Sequence, residues 1–287
     1  MLTSIMITLT AVIYATALSV STISSQGFSV ILCCAGLAFV IQWLSFIPAY
    51  IKQSERFYDL IGSITYIIIT SIALYNSGAK QTRAVVLACL VLIWAFRLGY
   101  FLYKRVHQDG GDRRFDEIKP KFGAFLIAWT LQGLWVLVTA SAAWVGILSV
   151  TPVNMNIYDM FGILLWLTGF AIEVMADHQK RQFRSKKGSS EFIQSGLWRY
   201  SRHPNYFGEI LLWVGIMILA FPAMEGWAYV SMLSPVFVAW LLTQISGVPM
   251  LEAKSNEKWG DDPRYQDYLA RTSCIILRKP KSSNYKG

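Results

Sequence analysis

Apolar residues in this chain run in long unbroken blocks, at about 4–22, 28–50, 58–76, 83–103, 122–149, 159–176, 206–222 and 227–248, with polar residues gathered between them. Each block comes close to the roughly 20 residues that a helix needs to cross the hydrocarbon core of a bilayer. The blocks are continuous, whereas strands of a membrane barrel would alternate in and out. The pattern predicts an all-α polytopic membrane protein with about eight transmembrane helices. The first block has no basic residue before it and no clear small-residue cleavage site, so it reads as a retained helix rather than a removable signal peptide.

Composition strengthens this reading: 54% of the 287 residues are apolar, the mean hydropathy is +0.42, and soluble domains are roughly 45–50% apolar. The net charge of +9 becomes informative once the charges are placed. Of the 26 Lys and Arg residues, 23 fall in alternate loops or after the last block, leaving Lys80 and Arg83 on the other side and Arg97 inside the fourth helix. The excess of positive charge on one face predicts that both termini are cytoplasmic. A basic chain could also bind nucleic acid, but in a chain this apolar topology is the better explanation, and no nucleic-acid partner is expected.

Cys33, Cys34, Cys89 and Cys274 lack metal-ligand spacing and read as small core residues. His107, His178 and His203 are too few and too scattered for a di-iron site, so no metal is expected. Residues 1–278 read as a single transmembrane domain and 279–287 as a disordered tail.

The outer loops are short and bland, while the longer cytoplasmic loops and the adjoining helix ends collect the polar groups. Asp59 opens the third helix, Arg97 lies near the cytoplasmic end of the fourth, and Glu209 lies near the start of the seventh. Glu173, Asp177, Arg181 and Arg184 stand at i, i+4, i+8 and i+11, which aligns them on one helical face. Such a stripe is either a set of pairs along a solvated helix end or a surface where arginines hold phosphates and carboxylates accept from ribose or amide groups. Leu197–Trp213 (LWRYSRHPNYFGEILLW) places Arg202, His203, Asn205, Tyr206 and Glu209 beside it. Pro204 suits a helix start, whose free amides favour an anion. His203 reads as a capping or packing residue as readily as a functional one. Gln108–Glu117 (QDGGDRRFDE) forms a Gly-Gly turn whose Arg113 could reach an acidic ligand, or an ordinary loop. Met250–Leu277 is amphipathic and aromatic, and is expected along the cytoplasmic surface, as a cap over the helix ends or as an anchor.

Two stretches, E-x-x-x-D-x-x-x-R-Q-F-R (Glu173–Arg184) and G-L-W-R-Y-S-R-H-P-N-Y-F-G-E (Gly196–Glu209), resemble the C-terminal half of the membrane steroid 5-alpha-reductases and their bacterial-type relatives. The similarity extends over about 54–278, through Ser54–Tyr66, Leu92–Phe115 and Gly260–Ser273. The R-H-P-x-Y core alone is shared with sterol reductases and isoprenylcysteine-type methyltransferases. The resemblance implies NADPH as cofactor, with Asp177, Arg181, Arg184 and Asn205 matching cofactor contacts and Glu173 standing where the steroid enzymes usually have Asn. Arg97, Arg113, Arg202, His203 and Tyr206 join them as candidate cofactor-binding residues. Glu209 matches a residue between nicotinamide and substrate. The implied reaction is hydride transfer to an activated C=C conjugated to a carbonyl. It requires a donor to the carbonyl oxygen and a dry site that holds the reactants in contact.

At the donor position this chain departs from the steroid enzymes. Their Gln-Glu pair and Tyr are replaced by Tyr58-Asp59 and Trp94, and because Trp cannot pass on a proton, Tyr58, Tyr100 or a protonated Asp59 would have to act. The expected partners are a hydrophobic small-molecule or lipid substrate and membrane lipids, with no obligate protein partner. The location is the inner membrane if the source is bacterial and the endoplasmic reticulum if it is eukaryotic, with the site facing the cytoplasm. The rival functions are an S-adenosylmethionine-dependent methyltransferase and a non-catalytic transporter or scaffold.

Overall fold

A computed structural model describes residues 2–25, 28–78, 81–109, 111–112, 115–151, 153–188 and 190–282. Among the described residues the α-helices are α1 (Leu2–Ser19), α2 (Val30–Ile51), α3 (Tyr58–Ser77), α4 (Thr82–Asp109), α5 (Phe122–Ile147), α6 (Ile157–Lys187), α7 (Pro204–Ala220), α8 (Leu233–Trp240), α9 (Val248–Trp259) and α10 (Pro263–Arg271). A two-stranded antiparallel ladder joins Ser24–Ser25 to Phe28–Ser29, and isolated bridges join Thr22 to Ser149 and Ser201 to Ser273. Among the described residues eight helical spans are long and apolar enough to cross a membrane, as the blocks predict, and the chain is an integral membrane protein. The tail expected at 279–287 lies partly outside the described residues, at 283–287.

Two spans differ from the simple blocks. α6 runs for 31 residues, or about 46 Å at 1.5 Å per residue, so it continues well past a hydrocarbon core of about 30 Å and carries its charged stripe with it. The eighth span is broken. A 3₁₀ stretch (Gly226–Met232), α8, a π turn (Leu241–Ile245) and α9 follow one another from Gly226 to Trp259. At the break a Cβ on Gly247 would collide with the Leu242 carbonyl oxygen and come within 2.8 Å of the Tyr206 ring. Pro249, in the first turn of α9, cannot donate the amide that would carry the previous helix onward.

The chain divides into two compact units, Met1–Phe161 with Ile216–Ser234, and Gly162–Gly215 with Pro235–Gly287. In the first unit every residue of α5 from Val136 to Ile147 is buried. Side chains hydrogen-bond between helices there, an arrangement favoured in lipid because no water competes for the polar groups. Gln42 Nε2 donates to Thr65 Oγ1 at 2.9 Å, Trp43 Nε1 to Thr130 Oγ1 at 3.2 Å and Trp144 Nε1 to Thr70 Oγ1 at 3.1 Å.

Buried ionic contacts fix the start of α4 and the segment that follows it. At its start Arg83 and Asp159 are 1% exposed each, and Arg83 Nε and Nη2 donate to the two Asp159 oxygens at 2.7 and 2.8 Å. Arg83 also donates to the Val153 and Asn154 carbonyls, so its guanidinium closes the 153–159 segment against the helix. The sequence marks Arg83 only as one of two basic residues on a bland side. Its partner lies 76 residues away, beyond the reach of any local pattern.

Beyond the other end of α4, the buried carboxylate of Glu55 accepts from the Asp112 amide at 2.8 Å and lies 2.7 Å from Lys119 Nζ. Burial alone would raise the Glu55 carboxyl, but the hydrogen bonds from Lys119 and Asp112 and the lysine charge outweigh it and hold it below the usual Glu range. A carboxyl depressed in the folded state contributes stability that is complete above its unfolded value and is lost as pH falls through the folded one.

Two outcomes are expected from thermal unfolding in detergent. Glu55→Gln lowers stability at neutral pH by about 1–3 kcal/mol, because Lys119 and the Asp112 amide lose a charged partner. On acidification below pH 4.5, the ordinary Glu value, the gap between wild type and variant narrows, and a pH-independent gap would refute the assignment. Asp159→Asn costs more, about 3–5 kcal/mol, because it leaves the Arg83 charge buried without its counter-ion.

Candidate functional site

Four glycines set the geometry of the second unit. Gly162 and Gly169 on α6, and Gly208 and Gly215 on α7, are each seven residues apart. A Cβ on Gly169 would lie 2.6 Å from both the Gly208 oxygen and the Leu212 nitrogen, and one on Gly215 would lie 2.6 Å from the Gly162 oxygen. The two helices therefore run antiparallel with backbone against backbone, an approach that only small residues permit in a membrane. The contact fixes the site residues too, because a Cβ on Gly208 would meet the Glu173 nitrogen at 2.7 Å. The start of α7, with Asn205, Tyr206 and Glu209, is thus held beside the charged stretch of α6.

Along that stretch Glu173 and Asp177 are 3% and 5% exposed, while Arg181 and Arg184 are exposed. The stripe passes from buried carboxylates to solvated guanidinium groups. Glu209 is buried, and Asn205 and Tyr206 are half-buried. The loop before α7 is pinned to the same helix. Gln179 Oε1 accepts from the Leu197 amide at 2.9 Å, Trp198 Nε1 donates to the Ala176 carbonyl at 3.1 Å, and the Lys180 ammonium sits 4.7 Å from the centre of the Trp198 ring.

His203 is turned toward a residue that the sequence reading missed. Its ring stacks on Tyr206, with centroids 5.5 Å apart and planes 7° apart, and its Nε2 is 3.2 Å from Glu252 Oε1. Arg202 Nη1 is also 3.2 Å from that oxygen. Burial pushes the His203 imidazole below its usual value despite the hydrogen bond to Glu252. The backbone amides of Arg202 and His203 donate to the Ser273 and Cys274 carbonyls at 2.8 and 3.1 Å, tying this loop to the C-terminal segment. Glu252 sits in the amphipathic stretch expected to lie on the surface, 49 residues from His203, and no spacing rule would have joined them. The aromatic residues of that stretch turn inward. Phe192 packs on Tyr265 at 5.1 Å, and the Tyr268 hydroxyl donates to the Trp198 carbonyl at 2.8 Å.

The candidate donor residues belong to the first unit. The Tyr58 hydroxyl donates to the Ala128 carbonyl at 2.8 Å, and its ring packs on Phe115 and Trp129. Asp59 follows on α3 and is half-buried. Trp94 is 1% exposed and meets Tyr66 edge-on at 5.2 Å. Tyr100 is exposed. Arg97 lies over the Phe101 ring at 5.2 Å. Arg113 falls outside the described residues, as do Gly110 and Arg114. A basic surface depression of about 530 Å³ is lined by Arg199, Tyr200, Arg271 and residues 279–282 and shares none of the expected nucleotide contacts.

Residues 45–272 match the family described as "Protein of unknown function (DUF1295)", which is steroid 5-alpha-reductase-like. Among curated proteins, an uncharacterized protein of Schizosaccharomyces pombe is 25% identical over 229 residues, covering 69% of this chain and 64% of the relative. The rat 3-oxo-5-alpha-steroid 4-dehydrogenase 1 is 30% identical over 117 residues, covering 40% of this chain and 39% of the relative. The Delta(14)-sterol reductase of Ascobolus immersus is 30% identical over 158 residues, covering 46% of this chain and 35% of the relative. The chain thus spans less than two thirds of the length of each. No solved structure matches it.

The α6–α7 contact can be tested without knowing the ligand. Gly169→Leu is expected to lower the unfolding midpoint in detergent, the overpacking costing about 1–3 kcal/mol or more because backbone must move. Gly123→Leu, on α5 where a Cβ meets nothing within 4 Å, is the control and should change little. Equal effects at the two positions would contradict the packing.

Proposed function

We propose, because this chain belongs to the steroid 5-alpha-reductase-like DUF1295 family, that it is an NADPH-dependent membrane reductase of a hydrophobic substrate carrying an activated C=C. The observation that carries the reading is the α6 stripe, two buried carboxylates continuing into two exposed arginines beside the opening of α7. A dinucleotide needs both kinds of group, anion-binding ones for its phosphates and acceptors for its ribose and amide. The donor set of the second unit fits that demand.

In this reading Arg181 and Arg184 hold phosphates, and Arg97 and Arg113 are further candidate cationic contacts. Guanidinium groups suit phosphate because they donate in pairs. Glu173 and Asp177 accept from hydroxyl or amide donors, and Asn205 and Tyr206 bind from the first turn of α7. Arg202 and His203 brace that turn through Glu252. Bound NADPH supplies a hydride equivalent to the β-carbon of the substrate. Glu209 orients nicotinamide and substrate against each other. Asp59 and Trp94 donate hydrogen bonds to the carbonyl oxygen, where negative charge develops. Tyr58 can join them only by leaving the Ala128 carbonyl, so Asp59 is the preferred proton source. The surrounding apolar helices exclude water.

The names of the relatives, a steroid dehydrogenase and a sterol reductase, support a hydrophobic substrate class. A lipid-soluble compound of comparable bulk is the expected substrate. The residues that would hold the nucleotide are expected on the cytoplasmic side, with both termini, in the bacterial inner membrane or the endoplasmic reticulum.

Binding to purified protein tests the assignment. NADPH should bind saturably and S-adenosylmethionine should not. Arg181→Ala and Asn205→Ala should each weaken NADPH by about 10- to 100-fold, the loss expected for one hydrogen bond involving charge. Saturable S-adenosylmethionine binding with no NADPH response would replace the reductase by a methyltransferase.

A further inference from the structure

The cluster around His203 carries chemistry that nucleotide binding does not use. His203 Nε2, a Glu252 carboxylate oxygen and Cys274 Sγ all lie within 4.8 Å of one another. Nε2 and Oε1 are 3.2 Å apart, and Oε1 and Sγ are 3.9 Å apart. Given the usual zinc bond lengths, two such ligand atoms around a tetrahedral ion stand roughly 3.4–3.6 Å apart. The three groups therefore need to move by only tenths of an ångström, or about one for the least constrained pair, to share an ion.

The frame that holds them is built from backbone. The 201–203 and 273–275 segments pair in parallel at Ser201 and Ser273. The Arg202 and His203 amides donate across to Ser273 and Cys274, and Ser201 Oγ reaches the Ile275 carbonyl at 2.7 Å. Stacking on Tyr206 fixes the plane of the His203 ring. Its Nδ1 is buried with no hydrogen-bond partner among the described residues, so Nε2 is the nitrogen that serves the cluster.

We infer that His203, Glu252 and Cys274 form a site for a first-row divalent transition metal of the zinc class, one that ties the loop before α7 to α9 and the C-terminal segment. Imidazole, carboxylate and thiolate together suit such an ion and are a poor set for magnesium or calcium, which take oxygen ligands. Binding removes the thiol proton of Cys274 to solvent, leaves the imidazole neutral and ligating through Nε2, and uses one carboxylate oxygen of Glu252. Arg202, which meets the same Oε1, would shift to the other carboxylate oxygen and balance the two anionic ligands. Three protein ligands leave a fourth position for water or a small anion. The site takes His203 from the nucleotide contacts and makes it a metal ligand, and it stands whether or not the chain binds NADPH.

Zinc itself is the probe, on the full-length protein purified in detergent and stripped of metal by dialysis. The expected result is one equivalent bound per chain, with one proton released, and with cobalt in place of zinc a thiolate-to-cobalt charge-transfer band. Cys274→Ala should abolish the band, and His203→Gln and Glu252→Gln should each weaken zinc by about 100-fold or more, beyond the 10- to 100-fold lost on removing a group that only supports a ligand. Cys89→Ala, at an exposed cysteine of α4, should leave both unchanged. The wild-type cobalt spectrum does not depend on any variant folding. No saturable zinc binding by wild-type protein, or a cobalt spectrum without a thiolate band, would overturn the inference and leave the cluster as an ion pair of Arg202 and Glu252.

Discussion

The arrangement of the candidate site residues in the second unit depends on how closely α6 and α7 approach. Two glycines on each helix, one heptad apart, let the backbones touch at Gly162–Gly215 and at Gly169–Gly208. In lipid, where apolar side chains gain nothing by leaving the hydrocarbon for one another, such contact is held by dispersion and close backbone geometry. The same contact sets the phase of the two helices. With Gly169 and Gly208 facing each other, Glu173 falls one turn further along α6 and Glu209 one residue further along α7, so the polar ends of both helices are placed together by residues that carry no polar side chain.

The first unit solves a different problem. Its long helices could slide along one another, and polar contacts spaced along the bundle prevent it. Thr and Trp side chains hydrogen-bond across the middle, the Arg83–Asp159 pair fixes one end of α4, and Glu55 fixes the loops at the other. A buried ion pair is a weak source of net stability but a strong penalty on any arrangement that separates it, so these contacts favour one register. The candidate donors Asp59 and Trp94 sit on α3 and α4, the helices so held.

Much of this was legible in the sequence because a bilayer imposes a simple code. Unbroken apolar blocks announced eight spans, and the i, i+4, i+8, i+11 spacing announced the face shared by Glu173 and Arg184. The motif around Asn205 and Glu209 announced the family. What escaped was non-local or silent. The Arg83–Asp159 and His203–Glu252 pairs join residues 76 and 49 positions apart, and no period connects them. The glycines were visible only as small letters within apolar blocks, since hydropathy cannot say which helix will press against them. The 3₁₀ and π stretches at Gly226–Met232 and Leu241–Ile245 were hidden inside a block that reads as one helix, whereas Gly247, where Tyr206 and Leu242 leave no room for a side chain, falls at the end of that block.

The charged face of α6 and the opening of α7 are together the proposed nucleotide site. An experimental structure of the full-length protein with NADP⁺ would test it most directly. Nucleotide density is expected against the second unit, with phosphates at Arg181 and Arg184 and polar contacts to Asp177 and Asn205. Ordered nucleotide bound elsewhere, or no bound nucleotide at saturating concentration with these residues ordered, would contradict it.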